Sequence, residues 1–185
     1  MIDLNYLQNS FSQSILSYVD LMKSKHWKKY YDEKKKLYAI KNLKNFRNNG
    51  LSEGLDDRAQ NLTHLEKLFN SLIKKCGKNF IFDKLDTNNI GLNKHYVKFK
   101  DLFIDLNQIF IINFYYELNK HTPLNKNKII CEIGGGYGHL VRLILSNHKT
   151  KIILIDLPEA NFISSYYLME NFTKNKIYIY LFRLF

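Results

Sequence analysis

The chain has 185 residues, 45% of them hydrophobic and 15% aromatic, with a formal net charge of +11. That suffices for one packed domain of ordinary size, and two cysteines, Cys76 and Cys131, leave no disulfide framework, which fits a reducing cytoplasm. The positive charge is nearly all lysine; arginine, the preferred base reader, stands only at Arg47, Arg58, Arg142 and Arg183, which argues against specific nucleic-acid binding.

In chain order, the residues before about Leu124 read as helices. Leu4, Leu7, Phe11, Ile15, Tyr18 and Met22 step by three or four and predict one face of an opening helix. Trp27, Tyr30 and Tyr31 follow in a basic stretch, and Leu37, Ile40 and Leu43 suggest a second helix. The Lys34-Lys35-Lys36 run reads as a solvated helix face. Gly50 to Asp57 reads as a loop. Thr63 and Glu66 suggest a capping box before the apolar stripe Leu65, Leu68, Phe69, Leu72 and Ile73, which Gly77 ends. A longer helix is expected from Tyr96 to Asn119, with Phe99, Leu102, Phe103, Leu106, Ile109 and Phe110 as its core face. Pro123 marks a linker. This divides the chain into a helical region, 1–124, and a second region, 125–185.

The stretch from Lys128 to Glu159 reads differently. Ile129, Ile130 and Ile133 predict a strand in which Cys131 packs as a small apolar residue. It runs into Glu132-Ile133-Gly134-Gly135-Gly136-Tyr137-Gly138. Leu140, Val141, Leu143 and Ile144 predict a helix, and Ile152 to Ile155 a second strand that stops at Asp156. This is a β-α-β unit with a nucleotide-type pocket at its mouth. A strand turning at once into a helix needs backbone angles that glycine supplies, and the helix N-terminus favours a carboxylate or phosphate there. The dinucleotide fingerprint G-x-G-x-x-G fails, because His139 stands where its third glycine belongs. The pattern present is acid-x-G-x-G-x-G, with Asp156 lying 20 positions beyond Gly136. A carboxylate there can accept both hydroxyls of a ribose.

These residues resemble motif I of the class I S-adenosylmethionine-dependent methyltransferases. EIGGGYGHL followed by IDLPEANFISSYYL is similar to the sugar O-methyltransferase family, over roughly Ile129 to Leu168. His139 departs from the family pattern, in which a small residue is commoner. The resemblance implies an α/β fold: a helical N-terminal region followed by the first part of a Rossmann-like sheet of about three parallel strands. It implies S-adenosyl-L-methionine as cofactor and a carbohydrate hydroxyl as acceptor. Gly134, Gly135, Gly136 and Gly138 would form the loop at the methionine end. Glu132 would sit beneath it, Asp156 would bind the ribose, and Leu157 would pack beside the adenosine. For Tyr137, a cover over the cofactor and a solvent-facing ring both stay open. His139 reads as a surface histidine, with substrate contact as the alternative. Tyr166 and Tyr167 read as packing their helix on the sheet.

After Asp156 the sequence predicts one helix, Pro158 to Asn171, with proline suited to a first turn. One apolar strand, about Lys176 to Leu184, follows. The expectation is therefore the front part of an enzyme, truncated at its C-terminus, with catalytic groups unassigned. The competing readings are a non-catalytic helical interaction module with a remnant β-α-β unit, and a nicotinamide-dependent oxidoreductase, which His139 disfavours. No basic leader with an apolar core opens the chain, and no apolar run approaches the roughly 20 residues that span a bilayer. The histidines at 26, 64, 95, 121, 139 and 148 show no metal-ligand spacing. Homo-oligomerisation is left open.

Overall fold

The computed structural model describes residues 3–17, 24–52, 62–85, 88–94, 96–99, 102–124 and 128–172. Within them the chain is mixed α/β and mostly helical, with one antiparallel and one parallel strand pair. The predicted strand at Lys176 to Leu184, the positions Tyr18 and Met22, and most of the Gly50–Asp57 loop lie outside the described residues.

Helix α1 (Leu4–Ser17) buries Leu7 and Phe11, as its spacing requires. Helix α2 (Lys25–Lys34) begins at Ser24, whose side chain accepts from the Trp27 N–H. The expected second helix over 37–43 is broken. A 3-10 turn (Lys35–Leu37) is followed by extended backbone at Ala39 and a four-residue helix α3 (Ile40–Leu43). Within the lysine run, Lys34 is half-buried and donates to the Gly50 carbonyl at 2.6 Å, while Lys35 and Lys36 are exposed. Helix α4 (Leu62–Cys76) buries Leu65 and Leu72 and ends at Gly77, whose left-handed backbone donates to the Ile73 carbonyl. Because α4 already includes Leu62, Thr63 stands inside its first turn and is not the cap. Helix α5 (Lys78–Lys84) follows.

The long helix expected from Tyr96 is instead a hairpin and a shorter helix. Strands β1 (Tyr96–Phe99) and β2 (Leu102–Asp105) pair antiparallel, Tyr96 opposite Asp105 and Phe99 opposite Leu102. Two residues separate them in the sequence. Helix α6 (Leu106–His121) starts at Asp105, whose Oδ1 accepts from the Gln108 N–H at 2.7 Å. Its buried face is Gln108, Ile109, Ile112 and Tyr115; Phe110, expected in the core, is 45% exposed.

From Lys128 to Asn171 the elements fall where the pattern puts them. Strand β3 (Ile129–Ile133) pairs parallel with β4 (Lys151–Ile155), Ile129 opposite Lys151 and Ile133 opposite Ile155. Helix α7 (His139–Asn147) joins them and helix α8 (Pro158–Asn171) follows. The described residues cover the sheet on one face. Ile130, Ile152 and Leu154 pack inward, whereas Ile129, Ile133, Ile153 and Ile155 are exposed, Ile133 by 80%. Cys131, expected to pack inside, is on this exposed face, because strand alternation places it with Ile129 and Ile133.

Two apolar clusters hold the fold. One joins α1, Phe46 and Leu51 to α8; the other joins α4, α5 and α6. Helix α7 belongs to both: Val141 enters the first, and Leu140, Leu143 and Ile144 enter the second. Every residue from His139 to Ile144 is buried. Both clusters therefore mix residues from before and after Leu124.

Candidate functional site

The glycine loop is built from three constraints. Its start is fixed to the sheet: the Gly134 N–H donates to the Ile155 carbonyl at 2.8 Å, extending the parallel ladder by one bond. Gly134 and Gly136 have φ of +76° and +58°, and a Cβ built on either meets nothing within 4 Å. These two positions need glycine for backbone conformation and face open space. Gly135 needs it for room, since its Cβ would lie 2.4 Å from Leu154 Cδ1 and 2.9 Å from Glu132 Cδ. Gly138 is buried, caps α7, and would press a Cβ to 3.3 Å from Ser164. It brings α7 close to α8 and does not line the open rim.

Asp156 closes the loop from the end of β4. Its Oδ2 accepts from the Gly136 N–H at 2.8 Å and its Oδ1 from the Leu157 N–H at 2.7 Å. Its own carbonyl accepts from Asn161 Nδ2 at 3.0 Å, which pins the start of α8 to the same corner. Burial raises the Asp156 pKa above the ordinary carboxylate value, the two N–H bonds oppose that, and the charge of Glu159 adds to it. Leu157 is half-buried as the N-cap residue of α8.

Glu132 lies under Gly135. It is half-buried, and its Oε2 has no hydrogen-bond partner among the described residues. Burial, reinforced by the charge of Asp156, pushes its carboxyl up to about 7. The two acids thus flank one loop, and both have pKa values raised by burial.

No protein-family model matches this chain, and neither does any curated protein or solved structure. The site is therefore read from its own geometry. Glu132, Gly134, Gly135, Gly136, Asp156 and Leu157 are brought to one corner at the strand ends, while Gly138 lies under α8. Tyr137 is neither a lid nor solvent-facing: it is buried against Phe46 and Tyr167, with ring centroids 5.5 and 5.0 Å away. His139 is fully enclosed rather than on the surface, because the first turn of α7 lies between both clusters. Tyr166 and Tyr167 are buried packing residues, but the ring both of them meet is Phe46 of the helical lead-in and not a residue of the sheet. Asn107, which contacts both Tyr137 and His139, carried no sequence signal beyond its place one residue after a helix N-terminus. Among the described residues no group of three or more acid, histidine or cysteine side chains could hold a metal ion, and no helix is long and apolar enough to cross a membrane.

Proposed function

We propose that the strand–loop–helix–strand corner binds S-adenosyl-L-methionine, as the start of a Rossmann-like sheet in an O-methyltransferase acting on a sugar hydroxyl of a glycan or surface polysaccharide. The observation that carries the reading is the 2.8 Å bond from the Gly136 N–H to Asp156, which joins the two ends of the corner at an open rim. The residues fit the cofactor. Open space over Gly134 and Gly136 lets a ligand approach the main chain, and the α7 N-terminus favours a carboxylate there. Each Asp156 oxygen holds one N–H, and a carboxylate oxygen has a further lone pair for a ribose hydroxyl. Leu157 offers an apolar contact for the base, and Glu132 lies beneath the loop. When bound, the sulfonium supplies an activated methyl group for in-line transfer, which requires donor and acceptor to be aligned. No described residue is assigned the task of taking the acceptor's proton. The sugar acceptor rests on the wording of EIGGGYGHL and the DLPE block alone.

The test is calorimetric titration of the chain with S-adenosylhomocysteine, repeated with Asp156→Ala. Binding that the substitution abolishes is expected; binding that it leaves untouched contradicts the ribose contact. A non-catalytic helical module is the second reading, favoured by one observation: α7 completes both apolar clusters, so the unit supports the helices whether or not a ligand binds. A folded chain that ignores S-adenosylhomocysteine would select it.

A further inference from the structure

The glycine loop is held on its buried side by a polar cluster contributed partly by the helical lead-in. Tyr137, between Gly136 and Gly138, donates its hydroxyl to Asn107 Oδ1 at 2.8 Å, across 30 positions. The same oxygen lies 2.7 Å from His139 Nδ1, which is itself 3.1 Å from the Tyr137 hydroxyl. The proton positions follow from the partners. Arg142 Nη2 stands 3.4 Å from His139 Nε2, and a guanidinium can only donate, so Nε2 is the acceptor. Burial, with the nearby charges of Arg142 and Arg47, holds His139 well below the usual histidine range and keeps the ring neutral. Its one N–H is then on Nδ1, directed at Asn107. Asn107 Oδ1 thus accepts from the hydroxyl of the loop's tyrosine and from the first residue of α7.

The surroundings fix the tyrosine further. Arg47 lies over its ring at 5.3 Å and is itself held by Asp105 in a buried ion pair. Glycines have no side chains by which to be held. Tyr137 is the one side chain between the left-handed Gly136 and Gly138, so its bonds are the side-chain anchor of that stretch, while Asp156 grips the Gly136 N–H.

We propose that Asn107, acting through Tyr137 and His139, is a positioning residue that presets the glycine loop for its ligand, so that the helical lead-in determines affinity at a site it does not line. The inference rests on the reading of the loop as a methyl-donor site. Its test compares the full chain with Tyr137→Phe, which removes one hydroxyl and keeps the ring, with Asn107→Leu, which removes the shared acceptor, and with Asn107→Asp, which retains an acceptor oxygen. Affinity for S-adenosylhomocysteine and the amide resonances of Gly134, Gly136 and Gly138 are measured for each. Tyr137→Phe and Asn107→Leu are expected to weaken binding about tenfold, within the range over which supporting residues modulate a site. Both should displace the Gly136 and Gly138 signals in the ligand-free chain, and Asn107→Asp should recover most of the affinity. Unchanged affinity and unchanged glycine signals in folded Tyr137→Phe would overturn the proposal. So would a lowered melting temperature with unaltered affinity, which is the signature of a purely structural role. If wild type fails to bind, the donor reading fails instead, and the glycine resonances alone still judge the positioning role.

Discussion

Replacing Glu132 with glutamine should stabilise the fold above neutral pH and change little in acid. The folded chain keeps the Glu132 proton up to about pH 7, whereas the ordinary carboxyl releases it near 4.5. Between those values the folded state binds more protons than the unfolded one, so this group makes stability fall as pH rises, with the full loss reached above 7. At full burial the difference would be about 3 kcal/mol. Because Glu132 is only half-buried, solvent reduces it to about 1–2 kcal/mol. Glutamine keeps the shape, leaves a polar atom in the same place, and carries no charge to desolvate. For a chain of this length that gain is a rise of about 2–8 °C in melting temperature. The assay is thermal unfolding of both proteins from about pH 5 to pH 8. The wild-type curve alone is composite, since Asp156 acts in the same direction and His139 in the opposite one: its lowered pKa gives stability present above the usual histidine value and lost in acid. The difference between the two proteins isolates Glu132. An equal gain at both ends of the range, or a glutamine variant less stable at high pH, would refute the reasoning, because the ionised carboxylate would then have a partner that favours it.

Breaking the ion pair of Arg47 and Asp105 should be costlier. Asp105→Ala leaves the guanidinium buried and removes the cap of α6, so denaturant unfolding should show a loss of about 3–5 kcal/mol; a loss below about 1 kcal/mol would mean that water reaches the pair. The loop glycines should separate by mechanism. Gly135→Ala forces a methyl group against Leu154 and should cost about 1–3 kcal/mol by overpacking. Gly134→Ala meets no atom and should cost about 1–2 kcal/mol through its left-handed backbone alone. Repacking Leu154→Val should relieve the first variant and leave the second unchanged, as read by melting temperature.

The part of the fold that is legible in the sequence is the part whose signals are local. Glycine at Gly134 and Gly136, the acid at Glu132 and proline at Pro158 each act within a few positions, Asp156 is marked by ending the second apolar run, and helix α8 spans the residues expected of it. The hairpin was hidden because Phe99, Leu102, Phe103 and Leu106 fit a helical spacing as well as they fit two strands. The better signal was Asp105 followed by Gln108, a helix start inside the supposed helix. His139 and Arg142 were unreadable for another reason. A polar residue on an apolar helix looks solvated until its partners are known, and these lie on other elements: Asn107 on α6 and the Lys84 carbonyl at the end of α5. That Cys131 lies on the open face was hidden because the apolar run from Ile129 to Ile133 does not tell which side of the strand is covered, and the described residues cover one.

The sharing of α7 between both apolar clusters bears on how the chain is made. A ribosome delivers the helices from Leu4 to His121 first: the grouping around Leu65 then already has its partners on α4, α5 and α6, whereas Leu7 is turned toward a surface on α8 that does not yet exist. Leu140, Leu143 and Ile144 complete the second grouping as they clear the exit tunnel, and the first closes only once Phe162 to Leu168 follow. Until then the apolar face of α1 stays uncovered, and that interval is when a chaperone has most to hold.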